Sequence, residues 1–121
     1  MIATLHVCIT CRREGEDSGE APRPGLRLHD ALVAAGAPEG VVIKPVECLS
    51  ACSNGCSVAL SRAGSWAYVY GRMDPESHVN DILAGAAAYA ATADGLVAWR
   101  ERPQIFRKQS LARIPPLETT E

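Results

Sequence analysis

The residues best suited to chemistry are five cysteines, three of which follow one another in the stretch CLSACSNGC at positions 48–56. Cys48, Cys52 and Cys56 recur every four residues, a spacing that places side chains on one face only where the chain is helical. The Asn-Gly pair within this stretch is a turn signal, and glycine inside a helix costs about 1 kcal/mol. The pattern therefore predicts a loop that carries three sulfur atoms.

The other two cysteines, Cys8 and Cys11, lie in the stretch VCITC directly after a short β-rich run at 3–7. The N-terminal stretch MIATLHV has neither a basic region nor an apolar core, and no apolar segment approaches the ~20 residues that span a bilayer. We therefore expect a cytoplasmic protein, without a membrane partner. In that reducing compartment an odd number of cysteines indicates metal or redox chemistry rather than a disulfide framework.

Composition limits the classes of partner. The 121 residues predict one folded core, and a net charge of -2 gives no general reason to expect binding to nucleic acid or to an anionic membrane. No nucleophile, base and orienting residue can be assembled from local motifs, and the sequence holds no glycine-rich phosphate loop. The chain is thus expected to be a carrier or a metal-binding protein rather than an enzyme.

The elements that must position the cysteines follow from periodicity. Strand patterns occur at 3–7, 41–47, 57–62 and 66–71, and Pro45 places the second of these at an edge of the sheet. Apolar spacing predicts one helix over 26–35. A second helix is predicted from an N-cap at Asp74 to Gly95. Its apolar face comprises Val79, Ile82, Leu83, Ala86, Ala90 and Ala93.

The resulting order is βαββα over residues 1–95, followed by a C-terminal extension at 96–121. Prolines 103, 115 and 116 predict that this extension is irregular and lies on or beside the domain. Its basic and aromatic residues could dock an acidic redox partner or bind nucleic acid. The interpretation that we favour is that the aromatic side chains pack on the domain; they are Trp99 and Phe106.

Topology brings the separate cysteines together. A strand, a helix and a second strand form a βαβ unit, which leaves its two strands parallel in nearly all cases. Cys8 and Cys11 leave the first strand, and Cys48 leaves the second, at the carboxyl ends of both strands. The sequence therefore predicts that these cysteines meet at one end of the sheet, although 36 residues, 12–47, separate Cys11 from Cys48.

Gathered thiolates repel one another and lose hydration, at a cost of several kcal/mol for each buried charge unless a cation compensates. A metal centre supplies that cation, whereas the alternative is that the cysteines stay neutral and pack as small apolar side chains. Zinc and an iron-sulfur cluster both accept four thiolates, so spacing alone leaves these two open.

The order of elements, together with the C-x3-C of Cys48 and Cys52, resembles the thioredoxin-like [2Fe-2S] ferredoxins over roughly residues 3–93. More narrowly, HVCITCRR, VECLSACSNGCSVAL and DGLVAWRERPQIFRK resemble a family of predicted metal-binding proteins of undetermined function, often encoded beside cobalamin biosynthesis genes. The resemblance implies a thioredoxin-like α/β sandwich with a mixed four-stranded sheet. It also implies a [2Fe-2S] cluster held by Cys8, Cys11, Cys48 and Cys52.

The implied function is single-electron transfer in support of corrin or cobalt metabolism. The implied partner is a redox protein, and the chain could also form a homodimer. Two residues between Cys8 and Cys11 are fewer than the ferredoxins usually have, and Cys56 is an extra cysteine. We expect Cys56 to be structural, and the alternative is that it serves as an alternate ligand. The alternative functions are zinc or cobalt binding for structure, delivery or sensing, and thiol-disulfide exchange at the CITC pair.

Overall fold

A computed structural model of the chain describes residues 2–9, 24–47, 56–75 and 77–116. Five strands and three α-helices lie in this part of the chain, with a short 3-10 helix at Trp99–Glu101. In chain order they are β1 (Ala3–Cys8), α1 (Pro24–Ala35), β2 (Val41–Val46), β3 (Val58–Ser61), β4 (Ala67–Tyr70), α2 (Val79–Ala90), α3 (Gln104–Lys108) and β5 (Ser110–Ile114).

The strands form one mixed sheet in the order β2-β1-β3-β4-β5. Strands β1 and β2 are parallel, with Cys8 opposite Val46, and α1 supplies the crossover between them. The β3–β4 pair is the predicted antiparallel hairpin. Strand β2 lies at the edge of the sheet, as Pro45 predicts, because a residue without an N–H group cannot complete ladders on both sides. The predicted parallel unit is thus confirmed.

Helices α1 and α2 contact each other and both contact β1 and β2. Alternate residues of β1, among them Leu5 and Val7, are fully buried against this helical layer, which is the reason for the period-two pattern. On α2, Ile82 and Ala86 are buried as predicted, and the core also takes in Tyr89. Burial of these side chains stabilises the fold by about 2 kcal/mol for each large apolar residue.

Helix α2 begins later than the sequence predicts. The backbone N–H of Asp74 donates to Nδ1 of His78, and a carboxylate oxygen of Asp74 accepts from the N–H of Ser77, so Asp74 organises a turn before the helix. The helix itself begins at Val79 and ends at Ala90, which leaves Ala93 exposed beyond it. The prediction of an N-cap at Asp74 was wrong because the same side chain stabilises a turn equally well.

The C-terminal extension is not irregular, and the sheet has five strands rather than four. Pro103 is the N-cap of α3, at a φ of -55° that its ring favours, and β5 pairs antiparallel with β4. Prolines 115 and 116 follow the strand instead of interrupting it. Pairing with a distant strand stabilises β5, and local sequence cannot report such a partner. The division of the chain at residue 95 remains a prediction.

Candidate metal centre

Cys8 is the last residue of β1 and lies between the ends of two neighbouring strands. Its Sγ donates a hydrogen bond to the backbone oxygen of Glu47 at 3.6 Å, and its N–H donates to the backbone oxygen of Ser57 at 3.1 Å. Glu47 directly precedes Cys48, and Ser57 directly follows Cys56. Cys8 is 1% exposed, and it therefore contacts the residue before Cys48 and the residue after Cys56 from within the core.

The register of the strands fixes this arrangement. Cys8 is paired with Val46 in the parallel β1–β2 ladder, and the next residue, Ile9, donates its N–H to the Val46 oxygen at 2.9 Å. Carboxyl ends of adjacent parallel strands lie at the same end of a sheet. We call the end marked by Cys8, Glu47 and Cys56 the cysteine end of the sheet.

Cys56 is fully buried and belongs to the hydrophobic core cluster. It lies two residues before β3, and its backbone oxygen accepts from the N–H of Met73, itself fully buried, at 2.9 Å. Cys8 is buried in the same cluster, so the structural role of Cys56 stays a prediction. The contact with Met73 shows that the start of β3 is fastened to the segment that follows β4.

That segment, Gly71 to Met73, extends the cysteine end across the sheet. The N–H of Gly71 donates to the backbone oxygen of Gln109, and the Gln109 side-chain amide donates to the backbone oxygen of Arg72 at 3.1 Å. Arg72 is exposed and has a φ of +59°. The sequence analysis did not identify Arg72 or Gln109, since neither residue type is a turn signal and their contact joins positions 37 residues apart.

Of the four predicted cluster ligands, Cys8 lies in the described part of the chain, and Cys11, Cys48 and Cys52 lie outside it. Among the described residues, no three His, Cys, Asp or Glu side chains gather closely enough to hold a metal ion. Cys8 fits one corner of a four-thiolate site, because its sulfur is directed at the residue before Cys48. Such a site would need the other three cysteines to complete it.

Two side chains outside the predicted ligand set make defined contacts. Nε2 of His6 lies 2.9 Å from Oγ of Ser61 on β3. Phe106 is buried, and its ring stacks on Tyr70 with 4.0 Å between centroids, which confirms that this aromatic residue packs on the domain. The Arg102 guanidinium lies 5.5 Å over the Tyr68 ring, so one of the basic residues in the extension also serves packing.

The sequence over residues 5–116 matches the family model DUF1636, which describes a protein of unknown function. The chain belongs to the DUF1636 family. No curated protein matches this DUF1636 sequence. In the described residues of the DUF1636 chain, no helix combines the length and the apolar character needed to cross a membrane.

Solved structures share the fold of this DUF1636 protein. A thioredoxin-like [2Fe-2S] ferredoxin from Aquifex aeolicus is 21% identical, with 98% of each chain covered and a TM-score of 0.59. A variant of that ferredoxin with a cysteine replaced by serine is 23% identical. The comparison covers 80% of this chain and 98% of the variant, with a TM-score of 0.54. The chain therefore has the thioredoxin-like ferredoxin fold, a mixed α/β architecture that the sequence analysis predicted.

Proposed function

We propose that this protein is an electron carrier that holds a [2Fe-2S] cluster at the cysteine end of its sheet. The observation that carries the proposal is the contact of Cys8 Sγ with the Glu47 carbonyl, 39 residues further along the chain. This contact brings the Cys8 segment to the start of the stretch CLSACSNGC. The solved ferredoxins with the same fold have a [2Fe-2S] cluster in their names, which supports the same chemistry here.

In this proposal Cys8, Cys11, Cys48 and Cys52 hold the cluster as thiolates. A bound [2Fe-2S] cluster accepts and releases one electron at a time, at a potential set by hydrogen bonds, nearby charge and exposure. The chain contributes a buried position at Cys8, which is 1% exposed. It also contributes a rigid support, because β1 is hydrogen-bonded to a strand on each side.

Burial of Cys8 disfavours the thiol-disulfide alternative. An attacking thiol must reach the disulfide of its substrate and is usually activated at a helix N-terminus or by a cation. Cys8 would be the first cysteine of the CITC pair, and it lies inside the core cluster at the end of a strand. We therefore retain zinc as the alternative to be tested, with cobalt tested by the same metal analysis.

Purification without air, followed by a visible spectrum and by iron, sulfide, zinc and cobalt analysis, tests the proposal. We expect a red-brown protein with two iron and two sulfide per chain, as the [2Fe-2S] stoichiometry requires. The spectrum should bleach on addition of one electron. A colourless protein with one zinc per chain would reject the electron-carrier function in favour of a structural or delivery role.

The recipient of the electron is a separate part of the proposal. We propose a redox protein of corrin or cobalt metabolism as the physiological partner, on the resemblance described under Sequence analysis. Deletion of the gene should then lower cellular corrinoid content, measured after extraction by the absorbance of the dicyano form. A normal corrinoid content would remove this assignment and leave the cluster itself unaffected.

A further inference from the structure

Arg72 has a backbone conformation that its residue type disfavours. Its φ is +59°, in the left-handed region, where a Cβ atom crowds the following carbonyl group. The other described residues with positive φ are all glycines: Gly36, Gly40, Gly64 and Gly95. Glycine would adopt the Arg72 conformation without strain. An arginine at this position therefore indicates that its side chain has a use.

Packing within the molecule does not explain that use. Arg72 is exposed, and among the described residues its guanidinium has no hydrogen bond, ion pair or ring contact. Other arginines differ: Arg62 and Arg102 each cover a tyrosine ring and also donate to backbone oxygens. The Arg72 side chain is thus available to a group outside this chain.

Its location connects the side chain with the cysteine end. Arg72 directly precedes Met73, whose N–H donates to the Cys56 oxygen, and its own carbonyl oxygen is held by the Gln109 amide. Lys108, the neighbour of Gln109, is also exposed. Two exposed cations therefore belong to chain segments that hydrogen bonds join at the cysteine end. Two carboxylates are described at this end: Asp74, two residues after Arg72, accepts from the N–H of Ser77, and Glu47 follows β2, which two strands separate from β4.

We infer that Arg72 and Lys108 bind carboxylates of an acidic redox partner that docks at the cysteine end. This inference rests on the proposed function, which supplies the redox nature of the partner. The whole chain has a net charge of -2, and a [2Fe-2S] cluster with four thiolates adds about two negative charges. An acidic partner would be repelled from this end without local cations. A guanidinium is well suited to the role, since it binds a carboxylate through two parallel hydrogen bonds.

A binding experiment tests this surface without relying on electron transfer. Hexaglutamate peptide is titrated into the isotope-labelled protein at low salt, and amide resonances are followed by NMR. We expect the resonances of Arg72, Met73 and Gln109 to shift, and the shifts to decrease in the Arg72→Gln/Lys108→Gln variant. Lys44→Gln, which removes an exposed cation on β2, is the matched control and should keep the shifts.

A kinetic experiment then tests the same surface in the cluster-loaded protein. Ferricyanide takes one electron from the reduced protein and becomes ferrocyanide, whereas hexaammineruthenium(III) is a cationic acceptor of one electron. At about 10 mM salt, loss of both cations should slow oxidation by ferricyanide by about three-fold or more, and it should not slow oxidation by the ruthenium complex. At about 500 mM salt the difference should vanish.

The outcomes separate the two proposals. In iron-loaded protein, the amide resonances near Arg72 could fail to shift with the peptide, or could shift equally in the double variant. Either result overturns the docking surface and leaves the proposed electron carrier intact. A shift caused by inorganic phosphate but not by the peptide overturns the carboxylate partner as well. Wild-type protein without iron and sulfide overturns the proposed function and with it the redox partner. Peptide shifts together with the ferricyanide effect support the inference.

Discussion

The two ends of the sheet use their polar groups in opposite ways. At the end that carries the β3–β4 turn, Arg62 donates to the backbone oxygens of Ala90 and Thr92 and its guanidinium lies 5.4 Å over the Tyr89 ring. The Tyr89 hydroxyl in turn donates to the Trp66 oxygen. At the cysteine end, Arg72 is exposed in a strained conformation and Cys8 is directed at the start of a cysteine-rich stretch.

This difference indicates that one end supports the fold, and under the proposed function the other end holds the cluster. Contacts among Arg62, Tyr89 and Trp66 join the end of α2 to the hairpin, and they satisfy carbonyl groups that a helix leaves unpaired at its last turn. A residue in a sparsely populated backbone region persists only where the surroundings hold it, and such residues cluster at functional sites. Substitutions at the two ends should therefore change different properties.

The largest effect is expected at the cysteine end. Cys8→Ser should abolish the visible absorbance of the anaerobically purified protein, because an alcohol is a far poorer iron ligand than a thiolate. Cys56→Ser should keep the absorbance and lower stability by about 1–2 kcal/mol, since it places a hydroxyl in the core. Absorbance and iron content measure cluster retention in the two variants, and urea unfolding measures the stability of Cys56→Ser. Bleaching by Cys56→Ser with full colour in Cys52→Ser would reverse the assignment of these two cysteines.

The next effect is at the other end, where Gly95 has a φ of +88°. A Cβ there would lie 2.8 Å from the Trp66 oxygen and 2.9 Å from the Trp66 nitrogen, both backbone atoms that cannot move aside. We expect Gly95→Ala to lower the free energy of unfolding by about 3 kcal/mol, measured by urea unfolding.

The matched control for Gly95→Ala is Gly64→Ala. Gly64 has a φ of +74° and open space around the position of a Cβ, so only the backbone strain of about 1 kcal/mol should remain. Equal losses in the two variants would show that the contact with Trp66 contributes nothing. Neither variant should change the visible spectrum.

Arg62→Met should lower the free energy of unfolding by about 2 kcal/mol, because it leaves two backbone oxygens without their donor. Arg113→Met is the control: Arg113 is exposed and lies 4.6 Å over the Trp66 ring, a contact expected to contribute about 0.5–1 kcal/mol. Denaturant unfolding of both variants gives the comparison. A smaller loss for Arg62→Met than for Arg113→Met would contradict the supporting role of this end.

At the cysteine end, Arg72→Gly should raise the free energy of unfolding by up to about 1 kcal/mol. Glycine relieves the left-handed strain, and the greater freedom of glycine in the unfolded chain offsets part of that gain. Arg72→Ala keeps the strain and should give no increase. A clear loss of stability in Arg72→Gly would mean that the arginine supports the fold, which would remove the contrast between the two ends.

The smallest effect concerns pH. Burial, followed by the nearby Lys44 charge, lowers the pKa of His6 below its ordinary value of 6.5. The unfolded chain therefore takes up a proton at His6 before the folded protein does, so stability is full above pH 6.5 and decreases as the pH falls towards the lower pKa of the folded state. His6→Gln should make the free energy of unfolding depend less on pH between about pH 7 and pH 5, as measured by urea unfolding. An unchanged pH dependence would exclude His6 as its source.

Much of the site geometry could be predicted from the sequence. The order of strand and helix patterns specified a parallel βαβ unit, and handedness rules then required Cys8 and the segment at Cys48 to lie at one end of the sheet. The structure confirms the parallel pairing, in which Cys8 lies opposite Val46. The ligand set itself stays a prediction, because Cys11, Cys48 and Cys52 lie outside the described residues.

The remainder depended on contacts between distant parts of the chain. Every residue of strand β5 is exposed, and the strand has no apolar periodicity of its own, so its pairing with β4 is its principal stabilisation. Gly85, in the middle of α2, is explained only by α3: a Cβ at this position would overlap the Phe106 ring. Neither fact has a local signal in the sequence.

The sequence by itself determined the elements with a strong period, the edge position of β2 through Pro45, and the parallel pairing of β1 with β2 that places Cys8 opposite Val46. These follow from short-range rules: alternation, the missing N–H group of proline, and the handedness of a crossover. Tertiary structure decided the fifth strand and the left-handed backbone of Arg72. Both are stabilised by partners far along the chain, β4 for the fifth strand and Gln109 for Arg72, and these contacts outweigh the preferences of the local residues.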